Sequence, residues 1–168
     1  MRKPEIIESK IFKRDELVRR VSQLRFLGKT IVFTNGIFDL IHQGHIHSLS
    51  QAAKEGSFLI VGINSDSSTK KLKGNSRPIN DEQSRALVIA SLLMVDAAVI
   101  FEEDTPLELI KSVMPDVLVK GGDYTVEQIA GAKEVMANGG RVVINEIKEG
   151  FSTSSIIDKI GGANYTNK

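Results

Sequence analysis

The run Thr30-Ile31-Val32-Phe33-Thr34-Asn35-Gly36-Ile37-Phe38-Asp39-Leu40-Ile41-His42-Gln43-Gly44-His45 passes from an apolar, β-rich segment, through a glycine, into the start of a helix. Residues 30–34 have the composition of a buried strand, and residues 44–54 the spacing of an amphipathic helix. The alternation recurs downstream. Residues 58–63, 97–101, 117–119 and 141–144 read as strands, and residues 81–94, 106–113, 126–138 and 152–160 as helices. Pro106 suits a first helical turn. Short, mostly apolar strands separated by helices imply a parallel sheet covered on both faces and joined by right-handed crossovers. The expected fold class is α/β, a doubly wound parallel sheet in a single domain.

Upstream of that run, Leu17, Val18, Val21, Leu24 and Leu27 share one helical face, and Gly28 stands where a C-terminal cap belongs. Residues 1–29 are read as a basic helical extension packed on a domain of residues 30–161, and residues 162–168 as a flexible tail. The extension holds nine Lys/Arg against four Asp/Glu, a local charge of +5, while the chain as a whole carries only +1. Its charged face is either solvated or a contact for RNA or another subunit.

Composition narrows the chemistry. The 168 residues include no cysteine, which excludes disulfides, thiolate metal sites and a cysteine nucleophile and fits a reducing cytoplasm. No run approaches the roughly 18 apolar residues of a membrane span, and the N-terminus lacks a signal-like apolar stretch. The near-neutral charge argues against nucleic acid as the default partner. These features predict a soluble, cytoplasmic protein with no membrane association.

In such sheets ligands sit beyond the C-terminal strand ends, where the strand order reverses. The segment from Gly36 to His45 lies in that position and resembles the G-x-F-D-x-x-H-x-G-H signature of the nucleotidyltransferase superfamily, with all six fixed identities present. Gly36 lets the backbone approach a triphosphate, Gly44 keeps that approach clear, and the opening helix offers free N–H groups to phosphate oxygens. His42 and His45 can donate hydrogen bonds as an incoming phosphate attacks the α-phosphorus and pyrophosphate departs. Zinc binding by the histidines is the competing reading. Phe38 suits packing, Asp39 a turn cap, and His47 a helix face.

Three further segments follow strands. Asn64-Ser65-Asp66 precedes a basic loop with Lys70, Lys71, Lys73 and Arg77, where lysines would neutralise phosphate and Asp66 would hold a hydroxyl or assist a metal. A solvated loop is the alternative reading. Lys120-Gly121-Gly122-Asp123-Tyr124 offers a cation and a carboxylate beside glycines that leave room for a ligand, or a simple turn. The hydroxyl cluster Ser152-Thr153-Ser154-Ser155 suits β- and γ-phosphates or a helix cap.

The wider set of motifs is similar to one branch of that superfamily, the adenylyltransferases of D-glycero-β-D-manno-heptose 1-phosphate, which occur alone or as the C-terminal half of a bifunctional protein with a sugar kinase. Ile157 stands where the superfamily's I-S-S-T-x-x-R motif has arginine, a departure that this branch shares. The resemblance implies a Rossmann-like nucleotidyltransferase fold, with His42, His45 and Lys120 catalytic. It implies nucleotide contacts from Thr34, Asn35, Gly36, Phe38, His42, Gly44, His45, Arg85, Ser152, Thr153 and Ser154. Acceptor contacts are expected from Asp39, Asp66, Lys73, Arg77, Lys120, Gly121 and Asp123. ATP with Mg²⁺, no dedicated metal cage, a homodimer and a separate heptose kinase complete the expectation. The alternatives are a cytidylyltransferase acting on glycerol 3-phosphate or a similar small phosphate, and a nucleotide-binding regulatory module without catalysis.

Overall fold

Successive residues of the first strand feed two different cores. Ile31 and Phe33 join one buried cluster and Val32 the other, so both faces of the sheet must be covered. A computed structural model describes residues 6–146 together with Thr153, Ile156 and Ile157. In chain order the strands are β1 (Ile31–Gly36), β2 (Phe58–Asn64), β3 (Ala97–Phe101), β4 (Val117–Gly121) and β5 (Arg141–Asn145). They form one parallel sheet in the order β3-β2-β1-β4-β5. The order reverses between β1 and β4, which marks the ligand crevice of a doubly wound fold.

Helices α1 (Arg14–Phe26), α5 (Leu107–Val113) and α6 (Ala132–Ala137) cover one face, through Leu17, Val21, Leu109, Ile110 and Val135. Helices α2 (Gln43–Ala53) and α4 (Glu82–Ala90) cover the other, through Leu49, Ala52, Ala86 and Ile89. The basic head is part of the first core: Leu17 and Val21 of α1 are buried, and Gly28 ends the helix at φ +70°. Just upstream, Ile11 pairs with Ala98 on the edge strand β3.

The elements depart from the sequence reading by more than a residue or two in three places. The expected basic loop begins as a helix, α3 (Asp66–Lys73), because Ser65 caps it and the buried Ser68 hydroxyl donates to the Glu103 carbonyl. The helix expected over 81–94 stops at Ala90, where the chain tightens into short turns and the Ser91 hydroxyl bonds the Val88 carbonyl. The helix expected over 126–138 is split at Gly131. That residue sits at φ +84°, and a Cβ there would come within 2.7 Å of Ile110. The helix expected over 152–160 lies largely outside the described residues.

Candidate active site

The crevice opens where β1 and β4 stop pairing. Their register runs from Val32↔Val117 to Phe33↔Leu118, and both strands then continue unpaired with each other to Gly36 and Gly121. Lys120 reaches back across the gap, its Nζ 3.4 Å from Asn35 Oδ1. A cavity of about 570 Å³ lies at this edge, with His42 and His45 on its lining together with Lys73, Arg77 and Lys120.

The turn after β1 is tightly determined. Phe38 has φ +54°, a left-handed conformation that costs a bulky residue about 1–3 kcal/mol. Gly36 leaves room for the Phe38 ring, which would stand 3.0 Å from a Cβ at that position. Asp39 is buried, and its carboxylate accepts from Arg77 Nε at 2.6 Å and from the Ile79 and Asn80 amides at 2.8 and 2.9 Å. Burial alone would raise its pKa, but the two amides and the Arg77 guanidinium outweigh it and hold the carboxyl below its ordinary value.

Helix α2 opens at Gln43, one residue earlier than expected, with His42 in the cap position and no acidic side chain in the first turn. Its free amides therefore face an anion without local repulsion. The His42 and His45 rings stack at 3.8 Å between centroids, and Phe38 meets His45 edge-on at 5.3 Å. Neither Nδ1 has a hydrogen-bond partner among the described residues, although both atoms are buried. An unpaired buried polar atom is costly, and a ligand oxygen would relieve it. Burial lowers the His42 pKa; burial and then the nearby His42 charge lower His45 to about 4, with the Leu40 carbonyl pulling weakly the other way. Both imidazoles are neutral near pH 7, where each keeps one N–H to donate.

Across the gap, burial also lowers the pKa of Lys120, whose ammonium lies 5.5 Å from the Tyr124 ring centroid. A Cβ at Gly121 would approach the Ser48 hydroxyl to 3.1 Å, a tight contact that Ser48 would have to yield to admit.

Of the residues singled out from sequence, Gly36, Phe38, Asp39 and Gly44 line the same cavity as the histidines, as do Gly121 and Thr153. Thr34 and Asn35 lie in β1, and Asn35 enters the site only through Lys120. Asp66 and Arg85 pair with each other at 2.7 Å and do not line the cavity. Asp123 is exposed in the loop after β4. Ser152 and Ser154 lie outside the described residues. Five lining residues were absent from the sequence-based set: Ile37, Ser48, Leu72, Tyr124 and Glu146. Ser48 follows His45 at helical spacing and Glu146 follows β5, so periodicity and the strand-end rule could have found both.

The cytidylyltransferase-like family model matches residues 33–159. The bifunctional protein HldE of Shigella sonnei is 51% identical over 150 residues, covering 89% of this chain and 31% of that protein. The bifunctional protein HldE of Koribacter versatilis is 54% identical over 154 residues, covering 92% of this chain and 32% of that protein. The chain thus spans about a third of the length of the curated relatives it matches. Among solved structures, the lipopolysaccharide core biosynthesis protein from Thermoplasma volcanium superposes with a TM-score of 0.57 at 31% identity, covering 72% of this chain and 98% of that one. Pantoate-beta-alanine ligase from Francisella tularensis, complexed with beta-gamma ATP and beta-alanine, has a TM-score of 0.59 at 14% identity over 94% of this chain and 81% of that one, a likeness of fold alone.

Proposed function

The chain belongs to the cytidylyltransferase-like family and is a nucleotidyltransferase, and on that premise we propose that it transfers AMP from ATP to D-glycero-β-D-manno-heptose 1-phosphate. The products are ADP-heptose and pyrophosphate, for lipopolysaccharide core synthesis. The observation that carries the reaction class is the stacked, neutral His42–His45 pair at the opening of α2, with Lys120 reaching back from β4 on the other side of the same cavity. The choice of acceptor rests on the motif resemblance and on the identity with the bifunctional HldE proteins.

A phosphate oxygen of the sugar phosphate attacks the α-phosphorus in line, forming the new P–O bond as the bond to the β-phosphate breaks and pyrophosphate leaves. Negative charge gathers on the non-bridging and leaving oxygens. The imidazole N–H groups and the amides of α2 donate to those oxygens, and Lys120, Lys73 and Arg77 neutralise the approaching acceptor phosphate. No covalent intermediate on the protein is needed. Among the described residues no three His, Asp or Glu side chains gather as a metal cage. Mg²⁺ bound to the phosphates would supply charge neutralisation of the leaving pyrophosphate. In this reading the protein works in the cytoplasm as a homodimer, on acceptor made by a separate heptose kinase.

The experiment is pyrophosphate release with ATP or CTP against heptose 1-phosphate or glycerol 3-phosphate. Release with ATP and heptose 1-phosphate is expected. Preference for CTP with glycerol 3-phosphate would replace the reading by a cytidylyltransferase, and saturable ATP binding without turnover by a regulatory module.

A further inference from the structure

Arg85 is the largest fully buried side chain in the core, and it does not line the cavity that holds the two histidines. Each of its guanidinium nitrogens donates to protein. Nε bonds the Asn80 carbonyl at 3.0 Å, Nη1 the Ile37 carbonyl at 2.6 Å and Nη2 Asp66 Oδ1 at 2.7 Å. A planar fork with several donors can hold three acceptors in fixed directions, which a lysine ammonium at that depth cannot do with the same geometry.

One of these carbonyls lies in the strained part of the signature turn, and the other belongs to a residue that grips it. Ile37 precedes Phe38, the residue at φ +54°. Asn80 belongs to the segment whose amides and side chain grip Asp39, the residue after Phe38. One buried side chain thus holds the residue before Phe38 directly and the residue after it through Asn80. The Phe38 ring in turn meets His45 edge-on at 5.3 Å and, together with the stacked His42, confines it.

We infer that Arg85 is a positioning residue for His45, acting through the Ile37 carbonyl and the Phe38 ring, and that Asp66 serves this clamp and touches no substrate. This assigns to both residues a role other than the phosphate or hydroxyl contact that the motif resemblance suggests. The inference rests on the nucleotidyl-transfer reading for its kinetic consequence, but the contact chain to His45 exists in the free protein.

The test is Arg85→Lys, which keeps the charge beside Asp66 but cannot hold all three acceptors. Thermal unfolding, kcat, KM for ATP and the His45 titration by ¹H–¹⁵N NMR are measured together. A fall in kcat of about tenfold is expected, as for a misplaced catalytic donor, with KM for ATP within about twofold. The His45 titration should move up from about 4 as its packing loosens. A raised KM with unchanged kcat would show that Arg85 binds the phosphates directly and overturn the inference. So would a lowered Tm with kcat and the His45 titration unmoved. Should Arg85→Lys not fold, Phe38→Leu removes the next link, and an unmoved His45 titration there overturns the chain of contacts. Absence of any turnover in the unaltered protein would instead strike the proposed function, while the NMR arm still tests the clamp.

Discussion

The turn after β1 and the loop after β4 face each other across one crevice and are built in opposite ways. In the β1 turn the polar side chain is consumed internally: Asp39 takes three separate donors, and Phe38 is held in a conformation it would not choose alone. In the β4 loop Lys120 is half-buried, and among the described residues its only polar contact is the 3.4 Å one to Asn35, with the Tyr124 ring beside it. The first is a rigid frame that fixes where the imidazoles stand. The second carries a charge with no counter-ion among the described residues, which is what an anionic substrate can exploit.

The contrast makes its strongest prediction at Asp39. Asp39→Ala leaves the Arg77 guanidinium, itself only 15% exposed, without its partner, and should cost about 3–5 kcal/mol in denaturant unfolding. An unchanged midpoint would mean that the frame is not held by this pair. Because the folded carboxyl titrates below its ordinary value, its stabilisation is present above the ordinary carboxylate pKa and disappears only as pH falls through the lower folded value.

His45→Ala comes next. With the frame intact, loss of one preorganised donor should lower kcat by about 10²-fold or more while unfolding is little changed. Wild-type turnover in that variant would remove the histidines from the mechanism. Since the folded His45 titrates near 4 instead of 6.5, the unfolded chain takes up this proton first. Its contribution to stability is complete above the ordinary value and is lost as pH falls towards the folded one. A bound triphosphate should push the same titration upward, which an NMR pH series with and without ATP would read directly.

The smallest effect is expected at Lys120. Lys120→Met should lower turnover by about tenfold with no loss of Tm, because a desolvated, weakly paired ammonium stabilises the fold little. Joint loss of Tm and turnover would place Lys120 in the frame and erase the contrast between the two sides.

Much of this arrangement is legible along the chain. The strand, glycine and helix around Gly36 announce themselves through local chemistry, and the H-x-G-H spacing puts both histidines at a helix opening. Helix α3 was not legible, since Ser67, Ser68 and Thr69 are weak helix formers whose conformation depends on burying Ser68 and Thr69. Nor was the internal use of Arg85, because a basic residue near a phosphate motif looks the same in sequence whether it meets ligand or backbone. Leu72 and Tyr124 reach the cavity from α3 and from the loop after β4, a convergence no local pattern encodes.

Local chemistry along the chain dictates the alternation of strands and helices, the residue types at each strand end and the family to which they point, all of which depend on neighbours within a turn or two. That β1 lies beside β4, that their pairing ends after Phe33 and Leu118, and that Lys120 therefore meets Asn35 from 85 residues away follow only from the assembled fold. The physical reason is that strand order and register are set by which apolar faces are buried together, and that choice is made by the whole core at once.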